Sequence, residues 1–107
     1  MASMTPRPLY RFEWDSNKER TNVQKHDGVT FQLASTVLHD PLALTIYDDE
    51  HSDQEERWVS MGQAENGQTL VVVHTFVQLD AQHIEVRLIS ARKADKQERQ
   101  DYEQAPR

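Results

Sequence analysis

The sequence predicts an α+β fold: a small antiparallel β-sheet with two helices before it and one after, in the order β-α-α-β-β-β-β-α. Three observations predict it. Four segments with strand patterning follow one another from Leu42 onward, with short turns between them. Helix-like segments stand before and after that run and do not alternate with it. At 36% hydrophobic, a chain of 107 residues can bury one modest core and not a second. Helices grouped outside a run of strands argue for a sheet with helices against one face, not for a parallel α/β fold.

Each element has its own reason. Residues 1–8, with Pro6 and Pro8, read as a flexible tail, and residues 9–107 as a single domain. Leu9 to Trp14 alternates, with Tyr10, Phe12 and Trp14 on one side, so it reads as a strand. Ser16 followed by Glu19 fits a capping box for a helix over about 16–26, which Asp27-Gly28 ends. That helix has almost no apolar residue except Val23, so docking must hold it. Thr30 caps a second helix with an apolar stripe of Phe31, Ala34 and Leu38, which Asp40-Pro41 terminates. Leu42–Tyr47 and Arg57–Gln63 read as strands flanking an acidic loop. Asn66-Gly67 signals a hairpin into Leu70–Phe76, whose near-continuous apolar run suits a central strand buried on both faces. Residues 78–82 turn, and Ile84, Val86 and Leu88 alternate as a last strand. Asp95 with Glu98 caps a final, very polar helix.

The chain carries no cysteine, which excludes disulfides, thiolate metal sites and a cysteine nucleophile. The N-terminus lacks the apolar stretch of a signal peptide, and the longest apolar run, Leu70–Val73, is far short of a membrane span. A cytoplasmic protein with no membrane association is therefore expected. Net charge is −6, which opposes nonspecific nucleic-acid binding. The charge is polarised, however. Seven acids stand between Asp40 and Glu56 with no Lys or Arg, whereas Arg87 to Arg99 holds five bases and two acids.

Several blocks then follow one another: FEWD (Phe12–Asp15), Lys18, Asn22, Lys25-His26, GVTF (Gly28–Phe31) and DPLAL (Asp40–Leu44). HSDQEERWVSMG (His51–Gly62), LVVVHT (Leu70–Thr75), ISARKA (Ile89–Ala94), Glu98-Arg99 and Tyr102-Glu103 complete the series. In order and spacing, over about residues 12–103, the chain resembles the BrnT family of ribonuclease toxins. The resemblance implies a RelE-like fold and RNA cleavage with no metal and no cofactor. It also implies a BrnA-type antitoxin, a ribbon-helix-helix protein through which alone the complex would touch DNA. Three features depart from the family pattern. Asp27 stands between His26 and Gly28, no Arg follows Thr75, and the chain is more acidic.

Metal-free RNA cleavage needs a base for the 2′-hydroxyl, an acid for the leaving 5′-oxygen, and cations for the phosphorane. Arginine suits the last role because its planar fork meets phosphate oxygens in pairs. With the resemblance, Arg57 and Arg92 are the candidate clamps; the alternative pairs them with Glu55 or Glu56 and with Asp95. His51 and His26 are candidate acid/base groups, since an imidazole ordinarily titrates near ~6.5. Glu56 is either a base or a holder of Arg57. Lys18, Asn22 and Lys25 share one side of the first helix and form a candidate RNA face, or else a solvated surface. Arg87 projects from the sheet face opposite Ile84, Val86 and Leu88. Tyr102 either stacks on a base or anchors the last helix. His74 reads as a core histidine. A second class of function stays open: a catalytically weak partner-binding or co-repressor module, favoured by the three departures.

Overall fold

The computed structural model describes residues 8–106. The expected tail lies, except for Pro8, outside the described residues. Strand β1 (Leu9–Glu13) leads into helix α1 (Ser16–Lys25) and helix α2 (Phe31–Ser35), which tightens into a 3-10 turn over Thr36–His39. Strands β2 (Leu44–Tyr47), β3 (Trp58–Gln63), β4 (Thr69–His74), β5 (Val77–Gln78) and β6 (His83–Lys93) follow. Helix α3 (Lys96–Gln104) closes the described chain.

The strands form one sheet in the order β1-β6-β4-β3-β2, with β5 also on β6. All pairs are antiparallel except β1 with β6, which is parallel. A strand that opens the chain can lie parallel to a late one because the rest of the fold serves as the crossover. Phe31, Ala34 and Val37 pack with Leu70, Val72, Ile84, Val86, Leu88 and Ala91 into the core. The helical stripe of Phe31, Ala34 and Leu38 thus meets one face of the sheet, with Leu38 at the margin. Tyr10, Phe12 and Trp14 line the edge of the core, and Trp14 meets Phe31 edge-on at 6.3 Å.

Strand β6 is longer than its alternation predicts. Val73 pairs with Ser90 and His74 with Leu88, so Ile89 is an extra residue, a β-bulge. The bulge shifts the inward set from Ile84, Val86 and Leu88 to Ala91. Residues in register share a face. Arg87, Ser90 and Arg92 therefore stand on the side opposite the core with Val71 and Val73.

The helix ends differ in detail from the sequence pattern. Asp15, not Ser16, caps α1, accepting from the N–H groups of Asn17 and Lys18 at 2.8 and 3.0 Å. Glu19 then turns to the next helix and accepts from Phe31 N at 2.7 Å. Its carboxylate serves an N-terminus that needs an acceptor more than its own helix does. Thr30 and the Asp95–Glu98 capping box stand where the sequence puts them.

One buried polar chain crosses the sheet. His74 is fully buried; its Nδ1 faces Thr75 O at 2.8 Å, and its Nε2 meets Ser60 Oγ at 2.8 Å. Ser60 Oγ meets Thr45 Oγ1 at 2.8 Å. A carbonyl only accepts, so Nδ1 carries the proton and Nε2 accepts from Ser60. Burial pushes the His74 pKa down from the ordinary 6.5, with the bond to Thr75 opposing. The unfolded chain then binds the extra proton below about 6.5 and the folded chain does not. Stability therefore falls as pH drops through and below that value. Urea midpoints at pH 7.5 and 5.5 should differ in this direction, and His74→Gln should flatten the part of the slope that lies above the carboxylate range.

Candidate functional site

The organising residue is Glu55, in the loop before β3. Its Oε1 accepts from Arg87 Nη2 and lies 3.6 Å from Arg57 Nη2. Its pKa is lowered first by the Arg87 hydrogen bond, against desolvation, and then by the charges of Arg87, Arg57 and Lys18. Cations from three separate parts of the chain thus act on one carboxylate: Lys18 from α1, Arg57 from the loop, Arg87 from β6.

Local structure sets each one. The loop over 48–57 closes on itself: Asp48 N donates to Arg57 O at 2.8 Å, and Arg57 N donates to Ser52 Oγ at 3.0 Å. This carries Arg57 to the rim of the sheet. The backbone of Arg87 is held across the strand by Thr75, whose N–H donates to Arg87 O and whose Oγ1 accepts from Arg87 N, both at 3.0 Å. Lys18 follows the Asp15 cap within the first turn of α1. Arg57 Nε is buried without an acceptor among the described residues, as is the Trp58 indole N–H. Such a donor costs about 1–3 kcal/mol unpaired.

Three shallow depressions flank the cluster. One, about 240 Å³, is lined by His51, Glu55 and Arg57 together with Glu50, Asp53 and Gln54. A second, about 290 Å³, is lined by Arg87, Glu55, Glu56, Glu13 and Glu85 among others. A third, about 310 Å³, lies between α1 and the bulge of β6 and is lined by Lys18, Lys25, His26 and Ser90. His51 sets its Nδ1 3.0 Å from Asp48 Oδ2, with the ring mostly exposed. Glu56 is exposed, and the carboxylate that holds Arg57 and Arg87 belongs to its neighbour Glu55. The Glu55-x-Arg57 spacing was the only sequence signal for that role.

Three expected site residues have other work. Asn22 is buried and its amide is taken up by the backbone, although it also borders the depression that Lys18 and Lys25 line. Its amide donates to Val29 O at 3.0 Å and Ala91 O at 2.8 Å, and accepts from Ala91 N at 2.9 Å. It occupies the side of β6 that β1 leaves unpaired beyond Arg87. A side chain with both donor and acceptor can complete that ladder, and a charged one cannot. Tyr102 is buried and bonds Asp40 through its hydroxyl, so it anchors α3 and does not stack on a base. Arg92 is not brought to the cluster. Its two terminal nitrogens meet Glu98 at 2.7 and 2.9 Å. It thereby fastens α3 to the end of β6, and holds the Glu98 carboxyl down at about 2. The sequence pairing of Arg92 with Asp95 misses by one turn because Asp95 is occupied as the helix cap.

No group of three or more His, Asp or Glu side chains close enough to share a metal ion occurs among the described residues. No helix among them is long and apolar enough to cross a membrane.

Comparison with known proteins places this architecture. No curated protein sequence matches the chain. The crystal structure of the Brucella abortus ribonuclease toxin BrnT is similar over 86% of this chain and 100% of that one. The TM-score is 0.50 and identity 20%, which speaks to the fold alone. A family model described as the ribonuclease toxin, BrnT, of a type II toxin–antitoxin system matches residues 14–98. That span takes in Lys18, Glu55, Arg57 and Arg87. The chain belongs to the BrnT family of ribonuclease toxins of type II toxin–antitoxin systems.

Proposed function

We propose that this chain cleaves RNA without a metal ion, and that Arg57 and Arg87 bind the scissile phosphate. The observation that supports this reading is the meeting of Arg57 and Arg87, from separate parts of the chain, on Glu55. A carboxylate there stands where a phosphate would bind. RNA offers two oxygens per phosphate and a backbone of like charges, so it can displace Glu55 from the two arginines.

In this reading the 2′-oxygen attacks phosphorus and the 5′-oxygen leaves, giving a 2′,3′-cyclic phosphate and a free 5′-hydroxyl. Arg57 and Arg87 stabilise the phosphorane through paired N–H donors. His51 is the acid/base group, because it lines the depression that holds Arg57 and Glu55. Glu56, beside Arg87, is the second candidate. Lys18, Lys25 and His26 guide the flanking phosphates along α1. Residues 9–107 act as one cytoplasmic toxin domain. The partner is a BrnA-type ribbon-helix-helix antitoxin, whose acidic segment would compete with RNA for the same cations.

One observation favours a second reading, a catalytically weak partner-binding module. Glu13, Glu55, Glu56 and Glu85 all line the depression around Arg87 and screen it from phosphate. Purified protein separates the two. Cleavage of RNA that persists in excess chelator, with growth arrest on expression alone, supports the nuclease. Intact RNA with folded protein supports the module, and cleavage abolished by chelator removes the metal-free mechanism.

A further inference from the structure

We propose that the outer edge of β2 is a docking edge for a partner protein, taken by a short extended segment with Lys or Arg on both flanks. Among the described residues, strand β2 ends the sheet and pairs only with β3. Asp48 N donates to Arg57 O, and in an antiparallel ladder such bonds fall on alternate residues. The amide groups of Ile46 and Leu44 therefore face β3, and those of Thr45 and Tyr47 point outward.

The side chains are open as well. Ile46 is 66% exposed and Tyr47 41%. Edge strands are usually blunted by lysine, proline, a bulge or an inward charge. Strand β2 holds no charged residue and no proline, and its register with β3 is unbroken. An unblunted edge with exposed apolar side chains is the geometry of strand addition.

Charge selects the occupant. Asp48, Asp49 and Glu50 follow the strand directly, with Asp53 in the same loop; no Lys or Arg lies between Lys25 and Arg57. Parallel pairing of two copies would set those acids beside themselves, and antiparallel pairing would leave both sets without a counter-charge; RNA is repelled too. A strand with basic flanks brings complementary charge to the Asp48–Glu50 end whichever way it runs. The edge itself holds no residue of the proposed catalytic site, although Glu50 and Asp53 also line the depression that holds His51 and Arg57, so the test reads backbone protection at Thr45 and Tyr47 and not cleavage.

The probe is a disulfide-closed hairpin peptide whose free strand reads Lys-Lys-Val-Thr-Val-Thr-Lys-Lys, with a twin carrying Glu at the four Lys positions. Closing the hairpin removes much of the ordering entropy. Amide exchange is followed residue by residue on the full chain. The Lys hairpin at millimolar concentration should slow exchange at Thr45 and Tyr47 by about tenfold or more, and added salt should weaken it. The Glu twin should leave both amides unchanged, and the Asp49→Lys/Glu50→Lys variant should weaken the Lys hairpin. Equal protection by both hairpins, or none by the Lys hairpin, overturns the proposal. So does protection that grows with protein concentration without peptide, which would mark self-pairing.

Discussion

Arg87→Ala is expected to lower RNA cleavage by about 10²–10³-fold, the usual cost of removing one preorganised donor from a developing charge. The urea midpoint should hardly move. Arg87 projects away from the core, and its pair with Glu55 is substantially exposed. Such pairs contribute about 0–1 kcal/mol. Arg57→Lys keeps the charge and removes the fork, so it should lose part of the rate that Arg57→Ala loses. Glu55→Gln completes the set, because it separates two roles. If Glu55 only occupies the phosphate position, RNA binding tightens and cleavage persists. If Glu55 is itself the base, binding tightens and cleavage stops. RNA affinity and single-turnover rates measured on the four variants decide between these. Unchanged cleavage in Arg87→Ala would end the assignment of this cluster.

Asn22→Ala is expected to destabilise the protein by about 3 kcal/mol, with no direct effect on RNA. The substitution leaves Val29 O, Ala91 O and Ala91 N buried without partners, at about 1–3 kcal/mol for each group. Partial relaxation keeps the sum toward the lower end. Against a total stability of about 5–15 kcal/mol this is a large fraction. Asn22→Asp should be nearly as damaging, since a carboxylate accepts from Ala91 N but faces two carbonyls with no proton to give. Urea denaturation measures both. A variant that unfolds normally but binds RNA weakly would restore Asn22 to the RNA face.

The fold was largely legible from local patterns. Thr30 and Asp95-Glu98 mark helix starts by their hydroxyl or carboxylate, and Asn66-Gly67 marks a turn, because each chemistry acts within four residues. The parallel pairing of β1 with β6 was not legible, since its partners stand more than seventy positions apart and both strands alternate alike. The site was legible in its residue types and less so in their company. Arg57 stands out as a cation at the start of a strand and Arg87 as one on a strand's outer face, yet nothing local says that both reach Glu55. The structural role of Asn22 was not legible, because helical spacing sets it beside Lys18 and Lys25 while its depth depends on the bulge in a distant strand. Arg92 was misplaced for the same reason: Glu98 lies close only once β6 turns into α3.

That bulge has a consequence for how the chain tolerates length change. Without Ile89, every side chain beyond it in β6 would swap sides. Ala91 would point outward, and the Arg92 guanidinium would be driven toward Leu70 and Val72. The segment entering α3 would leave the sheet rotated by half a turn, with Tyr102 aimed away from Asp40. Trimming a single residue at this point should therefore misdirect the whole C-terminal quarter, whereas adding residues near Ala81, in the exposed turn, should be absorbed locally.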